Sequence, residues 1–391
     1  MFDVSAWSYF HLFRIIAALF VASGGSAILA DEAAPKRVLG PWTQDLTIGP
    51  GMDASGRILR GCVFVGLDLR GANFEGAHLG GCELFQCDLR NASFKDAILT
   101  GLRWDECDVG GADFSGAVFN GVMPLHRVSA SQVRITAGQL MSTRSYRTRD
   151  LSNCVFQVAK RECMRPTFDF RDADLRGAIF IGQDFRESDF TNATVKGAQF
   201  YMCKIGAKQL LATYDFKESR QLTNIAFGVV DGHIDLSRCN LYGSSHIPRD
   251  ADLTDAIIRH CTLRPPISRE QLESTKGYKE GVLRGVSFFD QDLRNIDFSG
   301  MDLGECFFQD CDFANADMED AVISNVTFQV FRTSDLNLTL EQIKSTWNYK
   351  HGRMAGIQLP EELAKALEKE ARATEEEPAA GESGEKTEGN E

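Results

Sequence analysis

The chain has 391 residues, 43% hydrophobic and 25% charged, a globular composition long enough for two cores or one repetitive body. Its net charge of −13 argues against a general nucleic-acid binder, which would carry basic patches. More than half of that charge lies in residues 361–391, where eleven Glu stand against Lys365, Lys369, Arg372 and Lys386.

Residues 1–30 read as a secretory signal: Arg14 precedes an apolar stretch and then the small-residue segment 22–30. The uncharged run 15–30 is only 16 residues, short for a membrane span. Cleavage is expected after Ala30, although Ile28 is imperfect two residues earlier. The alternatives are an uncleaved anchor or a buried leading helix. Residues 31–56, around Trp42, are expected to form an N-terminal cap.

From Cys62 the chain divides into twelve unbroken pentads: CVFVG, LDLRG, ANFEG, AHLGG, CELFQ, CDLRN, ASFKD, AILTG, LRWDE, CDVGG, ADFSG and AVFNG. The third position is always Leu, Phe, Trp or Val; the first is always Ala, Cys or Leu. Period five fits neither element. A helix would carry residue i+5 about 140° around its surface, and a strand would flip it to the other face. A buried set at this spacing needs a chain that turns a corner each repeat, so four repeats close a square coil of 20 residues. Residues 20 apart should then stack, and Phe74, Phe94 and Phe114 form one such file beside Ala72, Ala92 and Ala112.

Here the chain resembles the pentapeptide-repeat family, whose motif is A-(D/N)-L-x-x. ANFEG, ADFSG, ADLRG (173–177) and ADLTD (251–255) match it as written. The resemblance covers most of 57–330 and implies a mostly β fold, a right-handed quadrilateral β-helix interrupted by short helices.

The interruptions resemble one another: ITAGQLMSTRSY (135–146), IGAKQLLATYDF (205–216), ISREQLESTKGY (267–278) and LTLEQIKSTWNY (338–349). Gln139, Gln209, Gln271 and Gln342 align, followed four residues later by Thr143, Thr213, Thr275 and Thr346. Thr136, Ser268 and Thr339 precede three of the Gln as capping boxes, and Gly206 is a permissible cap in the other. Each segment therefore predicts one short helix of about two turns. Expected units are 57–134, 135–204, 205–266, 267–337 and 338–373, the last ending in a capping helix, with a disordered acidic tail at 374–391. Slips are expected at 166–168, 228–233 and 244–250. About nine or ten coils would make a rod of about 45 Å.

Ten of the eleven cysteines occupy the first pentad position, where Cys acts as a small buried hydrophobe; Cys163 does not. No C-x-x-C, H-E-x-x-H or G-x-S-x-G occurs, so no catalytic residue, cofactor or metal ligand is assigned. His246 and His260 flank the broken third run and read as turn residues. Candidate partner-binding residues are outward columns: Asp68, Asp88 and Asp108 with Arg70 and Arg90, then Asp292/Asp312 and Asp297/Asp317. Such Asp either bonds its own corner and keeps the surface soluble, or docks a basic partner.

The expected function is an exported, non-enzymatic scaffold of the periplasm, envelope or exterior. It would bind an unknown protein, no nucleic acid, and keep no stable membrane span after cleavage. The resemblance also implies an alternative, since some members resemble B-form DNA in shape and charge and bind DNA gyrase.

Overall fold

The computed structural model describes residues 37–40, 43, 45–121, 123–124, 135–157, 167–331 and 336–376. The leader 1–30, Trp42, Cys163 and the tail from 377 lie outside the described residues.

Each pentad forms one side of a square coil. Third residues such as Leu69, Phe74, Leu79 and Leu84 are wholly buried, with Ala72, Ala77 and Cys82 beside them. At every corner of the first run the fifth residue is left-handed: φ is +66° at Gly71, +58° at Asn91 and +54° at Asp96. This is the third position of a β-turn, and the Ala72 N–H closes the corner by donating to the Leu69 carbonyl at 3.0 Å. Gly and Asn enter that region at low cost, which is why they recur there. Two glycines answer a second constraint. A Cβ on Gly111 would lie 2.4 Å from Asn91 Oδ1, and one on Gly116 2.0 Å from Asp96 Oδ1, because the lower corner's side chain reaches upward.

Side 1 of the coil carries three-residue strands. Val63–Val65, Glu83–Phe85 and Arg103–Asp105 pair in parallel, and Arg37–Leu39 closes their first edge antiparallel. The other sides are held by single bridges: Asp68, Asp88 and Asp108 on side 2, Asn73, Ser93 and Asp113 on side 3, His78, Ile98 and Val118 on side 4. The whole is a right-handed quadrilateral β-helix. Phe74, Phe94 and Phe114 stack in one file, with centroids 5.0 Å apart and planes within 8°. Each buried ring contributes roughly 1.5–3 kcal/mol over an exposed one.

Side 1 runs on through Val155, Ile179, Gln199, Ala226, Ser245, Thr262, Ser287, Phe307 and Thr327 to Gln358. Cys154 joins this column to the first: its thiol donates to the Phe119 carbonyl as Cys82 donates to that of Leu59. With the rungs at Val63, Glu83, Arg103 and Met123 the described residues make fourteen levels on this side, about 62 Å at strand spacing. The expected nine or ten coils omitted the helical laps, which keep a strand side and are full levels.

The four inserted segments are pairs of helices rather than single ones: α1 (Ala137–Ser142) and α2 (Arg144–Arg147), α3 (Ala207–Leu211) and α4 (Tyr214–Ser219), α5 (Arg269–Ser274) and α6 (Lys276–Lys279), α7 (Leu340–Ser345) and α8 (Trp347–Lys350). The aligned Thr breaks each pair. Thr143 is extended at φ −66°, ψ 154°, and its Oγ1 donates to the Leu140 carbonyl while accepting the Tyr146 N–H. Thr213, Thr275 and Thr346 share that backbone and are fully buried. All four pairs replace side 3 and enter side 4, so on side 3 a helix occupies every third level from α1 onward. Between them stand Asp169 and Asp189, Asp235 and Asp252, Asp297 and Asp317.

A helix presents no free ladder groups to the coil below, and side chains supply them. Gln139 Oε1 accepts the Thr136 N–H at 2.7 Å, while its Nε2 donates to the Val109 and Ala112 carbonyls. Gln271 repeats this with Ser268, Arg249 and Ala251, and Gln342 with Thr339, Phe313 and Ala316. Gln209 clasps the Arg186 and Ser188 carbonyls. Six residues after the Gln, a buried polar side chain takes the missing rung: Ser145 on Phe119, Asp215 on the Val195 N–H, Asn348 on the Ile323 N–H. Helix α9 (Glu361–Glu376) closes the last coil, resting Leu363 and Leu367 on the core and holding Lys344 through Glu370 at 2.6 Å.

Glu at position 271 can accept but not donate, leaving the Arg249 and Ala251 carbonyls unpaired. Gln271→Glu is expected to cost about 2 kcal/mol, read as a lower urea midpoint, with Gln271→Met lowering it comparably. Phe94→Asp should unfold the first run, whereas exposed Lys95→Glu should stay within about 0.5 kcal/mol; equal tolerance of both would contradict the inward assignment.

Candidate functional site: the outward charged columns

Among the described residues no group of three or more His, Cys, Asp or Glu side chains is placed to hold a metal ion. The ten described cysteines are buried. Burial pushes Cys82, Cys203, Cys261, Cys306 and Cys311 up to about 12, and Cys82, Cys261 and Cys306 donate to carbonyls one lap below at 2.7–3.1 Å. They fill space and are inert as nucleophiles. The His260 ring lies tilted against Tyr242 with centroids 5.0 Å apart, and burial pushes the His246 imidazole below its usual value.

The surface chemistry lies in the second and fourth residues of the pentads, which face outward. An Asp at the second position turns Oδ1 onto the backbone N–H two residues on, as at Arg70, Arg90 and Gly110. Where the fourth residue is Arg, its guanidinium forks the same carboxylate. Arg70 holds Asp68 at 2.9 and 2.7 Å, and Arg90 holds Asp88 at 2.9 and 2.5 Å. Each Arg also leans over the next level, with Arg70 Nε 3.6 Å from Asp88 and Arg90 Nε 3.7 Å from Asp108. The five residues form one continuous zigzag of alternating charge on side 2.

Asp292 and Asp312 repeat that zigzag through Arg294, at 2.6 and 3.7 Å. Asp297 and Asp317 lie on side 3 and have no Arg: Asp297 accepts from the Ser299 N–H and Oγ, and Asp317 from the Glu319 N–H. The structure thus brings together each stacked column singled out in the sequence and separates the two sets onto different faces. Sequence reasoning noted the second-run acids Asp169, Asp189, Asp174 and Asp184 but missed the guanidiniums that hold three of them, Arg171 and Arg149 on Asp169, Arg176 on Asp174 and Arg186 on Asp184; the D-x-R spacing would have found all three forks. The Arg forks hold the carboxyls of Asp88, Asp169, Asp174 and Asp292 below the ordinary Asp range, and for Asp297 the Ser299 hydroxyl does so. These pairs are exposed, so each adds about 0.2–1 kcal/mol at most.

A square coil with paired charges at fixed spacing on flat faces defines a repeat protein. A family model described as "Pentapeptide repeats" matches in eight copies, over residues 53–84, 62–101, 169–204 and 292–329. Over those residues the chain is a pentapeptide-repeat protein. No curated protein matches it. Solved structures that it resembles include HetL, a pentapeptide repeat protein involved in heterocyst differentiation regulation in the cyanobacterium Nostoc sp. (17% identity, 71% of this chain and 89% of that one, TM-score 0.16). Others are a pentapeptide repeat protein of the Arabidopsis thaliana thylakoid lumen (22%, 36% and 66%, 0.13) and QnrB1, a plasmid-mediated fluoroquinolone resistance protein (15%, 81% and 95%, 0.15). At these scores nothing beyond the shared repeat is drawn from them.

The depressed carboxyls fix the direction of acid sensitivity. A group whose folded pKa lies below its unfolded value, about 3.9 for Asp, stabilises fully above that value and stops doing so as pH falls through the folded one. The urea midpoint should therefore hold from about pH 8 to about pH 5 and decline below about pH 4. A midpoint that rises at about pH 3 would show that these carboxylates repel more than they bind.

Proposed function

We propose that this chain is an exported interaction scaffold of the cell envelope whose rigid charged faces dock a protein partner. The supporting observation is the side 2 zigzag of Asp68, Arg70, Asp88, Arg90 and Asp108, a preformed charge pattern on rungs that cannot rearrange. A partner meeting it loses little conformational freedom on this side of the interface. Export is supported by the sequence of 1–30. Among the described residues no helix is long and apolar enough to cross a membrane. The alternative of DNA mimicry is less well supported, because the Arg forks offset the stacked Asp charge that a phosphate-like row would need.

Fractionation of cells making the full chain should place the protein outside the cytoplasm with Asp31 as its new N-terminus. Full-length protein found soluble in the cytosol would overturn export. Asp68→Asn with Asp88→Asn and Asp108→Asn should leave the fold intact and reduce capture of the partner about tenfold, roughly 1.4 kcal/mol, chiefly at low salt.

A further inference from the structure

The cations of this acidic chain are unevenly used. Among the described residues, side 4 between the second and third helix pairs carries four cations that make no ion pair, Lys196, Lys217, Arg238 and Arg259; Arg57, Arg60, Lys204, Lys208 and Arg249 are further ones on other parts of the surface. Its levels are in register: Gly177 donates to the Lys196 carbonyl, Gly197 to Thr223, Asn224 to Tyr242 and Gly243 to Arg259. The fourth-position column of this face therefore carries Lys196, Tyr242 and Arg259 along its edge with side 1. The side chains of Lys196 and Arg259 are exposed and make no ion pair or hydrogen bond, unlike Arg176 on the level before them, which forks Asp174.

The opposite edge of the same face carries Lys217 and Arg238. A basic residue follows the aligned Gln by eight places in all four helix pairs: Arg147, Lys217, Lys279 and Lys350. In the third and fourth pairs it is neutralised by the corner residue of the level below, Lys279 by Asp255 and Lys350 by Asp320. The corresponding corner under Lys217 is Asn192, which has no charge to give. Arg238 is itself a corner residue, exposed and without an ion pair. Between the two edges runs a neutral floor, where Asn240 donates to Gln221 at 2.9 Å and Ile257 sits on the next rung. Tyr214 and Tyr242 stand exposed beside it, at 49% and 44%. The nearby Asp215 is buried on the Val195 N–H, which leaves Glu218 as the exposed acid on that helix.

Two cationic rims about a neutral, amide-bearing floor suit an extended acidic polypeptide, whose carboxylates reach the rims while its backbone bonds the floor amides. We propose that this patch docks the chain's own C-terminal segment 377–391. That segment carries Glu377, Glu382, Glu385, Glu388 and Glu391 against the single Lys386. Its fifteen residues span up to about 50 Å when extended. The Ile257 rung lies four levels below the last coil and the Thr194 rung seven, or about 19 and 34 Å. Tethering keeps the segment at millimolar effective concentration, so a few exposed ion pairs suffice to hold it. The assignment stands whether or not the chain is exported.

Carbodiimide coupling of the full chain, followed by peptide mass spectrometry of an isotopically mixed sample, tests it. The expected result is links from Glu382, Glu385, Glu388 or Glu391 to Lys196 or Lys217 within one chain. Their yield should fall about fivefold between about 0.02 and about 0.5 M salt. It should fall similarly in Arg238→Ser with Arg259→Ser, surface changes that spare both lysines and whose folding circular dichroism checks. Links made chiefly to Lys344, Lys365 or Lys369, or none to Lys196 and Lys217, would overturn the proposal. Links found only between differently labelled chains would overturn it in favour of a second copy's tail.

Discussion

A residue with positive φ at nearly every corner is the constraint on which the rest depends. Asn91, Asp96, Gly101 and Glu106 all obey it, although Glu gains nothing locally from a left-handed backbone. The corner is imposed by the stack: each lap hydrogen-bonds the lap beneath, so a corner that failed to turn would tear two ladders. Glu at 106 is tolerable because its neighbours above and below over-determine it. Once the corners are set, each side has room inward for one small and one large residue. The interior is then full, with Phe64, Phe74, Phe94 and Phe114 wholly or almost wholly buried. A body with no interior space left performs its function on its outer faces.

The helix pairs show how strictly the ladder must be served. Replacing a rung by α1 or α5 removes the backbone groups that the coil below expects, and an apolar helix would strand several carbonyls at once. The carboxamide of the aligned Gln resolves this with one side chain, since it accepts at the helix start and donates twice below. Neither Glu nor Met could do both. Ser145, Asp215 and Asn348 serve the N–H groups in the same way from the second helix of each pair. Three chemically different side chains at one aligned place mark a shared geometric duty that composition alone would not reveal.

Much of the fold was legible because its causes are local or strictly periodic. The pentads, the stacked Phe file, the buried Cys positions and the capping boxes all follow from spacing within one lap or from the 20-residue return. What escaped depends on contacts between laps. The Thr that splits each helix pair looks like any helical Thr until its buried place above the coil is known. The third-run laps shorten to 17 residues from Asp235 to Asp252, and before them Gly228 passes so near the Cys203 carbonyl that a Cβ would lie 2.5 Å from its oxygen; neither follows from the 20-residue period. The Asp columns were visible as columns. Their division between Arg-forked side 2 and hydroxyl-capped side 3 needed the corner to assign each pentad to its face.

Charge provides the last distinction. A net of −13 describes the chain but not any one of its faces, because the solenoid sorts residues by pentad position before solvent meets them. On side 2 the D-x-R spacing puts each guanidinium on its own carboxylate, so that face is patterned and close to neutral. On side 4 the second-position column is Thr194, Gln221, Asn240 and Ile257, which offers the Lys and Arg at its edges no carboxylate. The difference comes from one substitution per pentad, Asp against a neutral residue at the second place. A sequence that keeps its interior constant can thus write a different electrostatic message on every face of the same rod, and the faces, not the fold, decide what it binds.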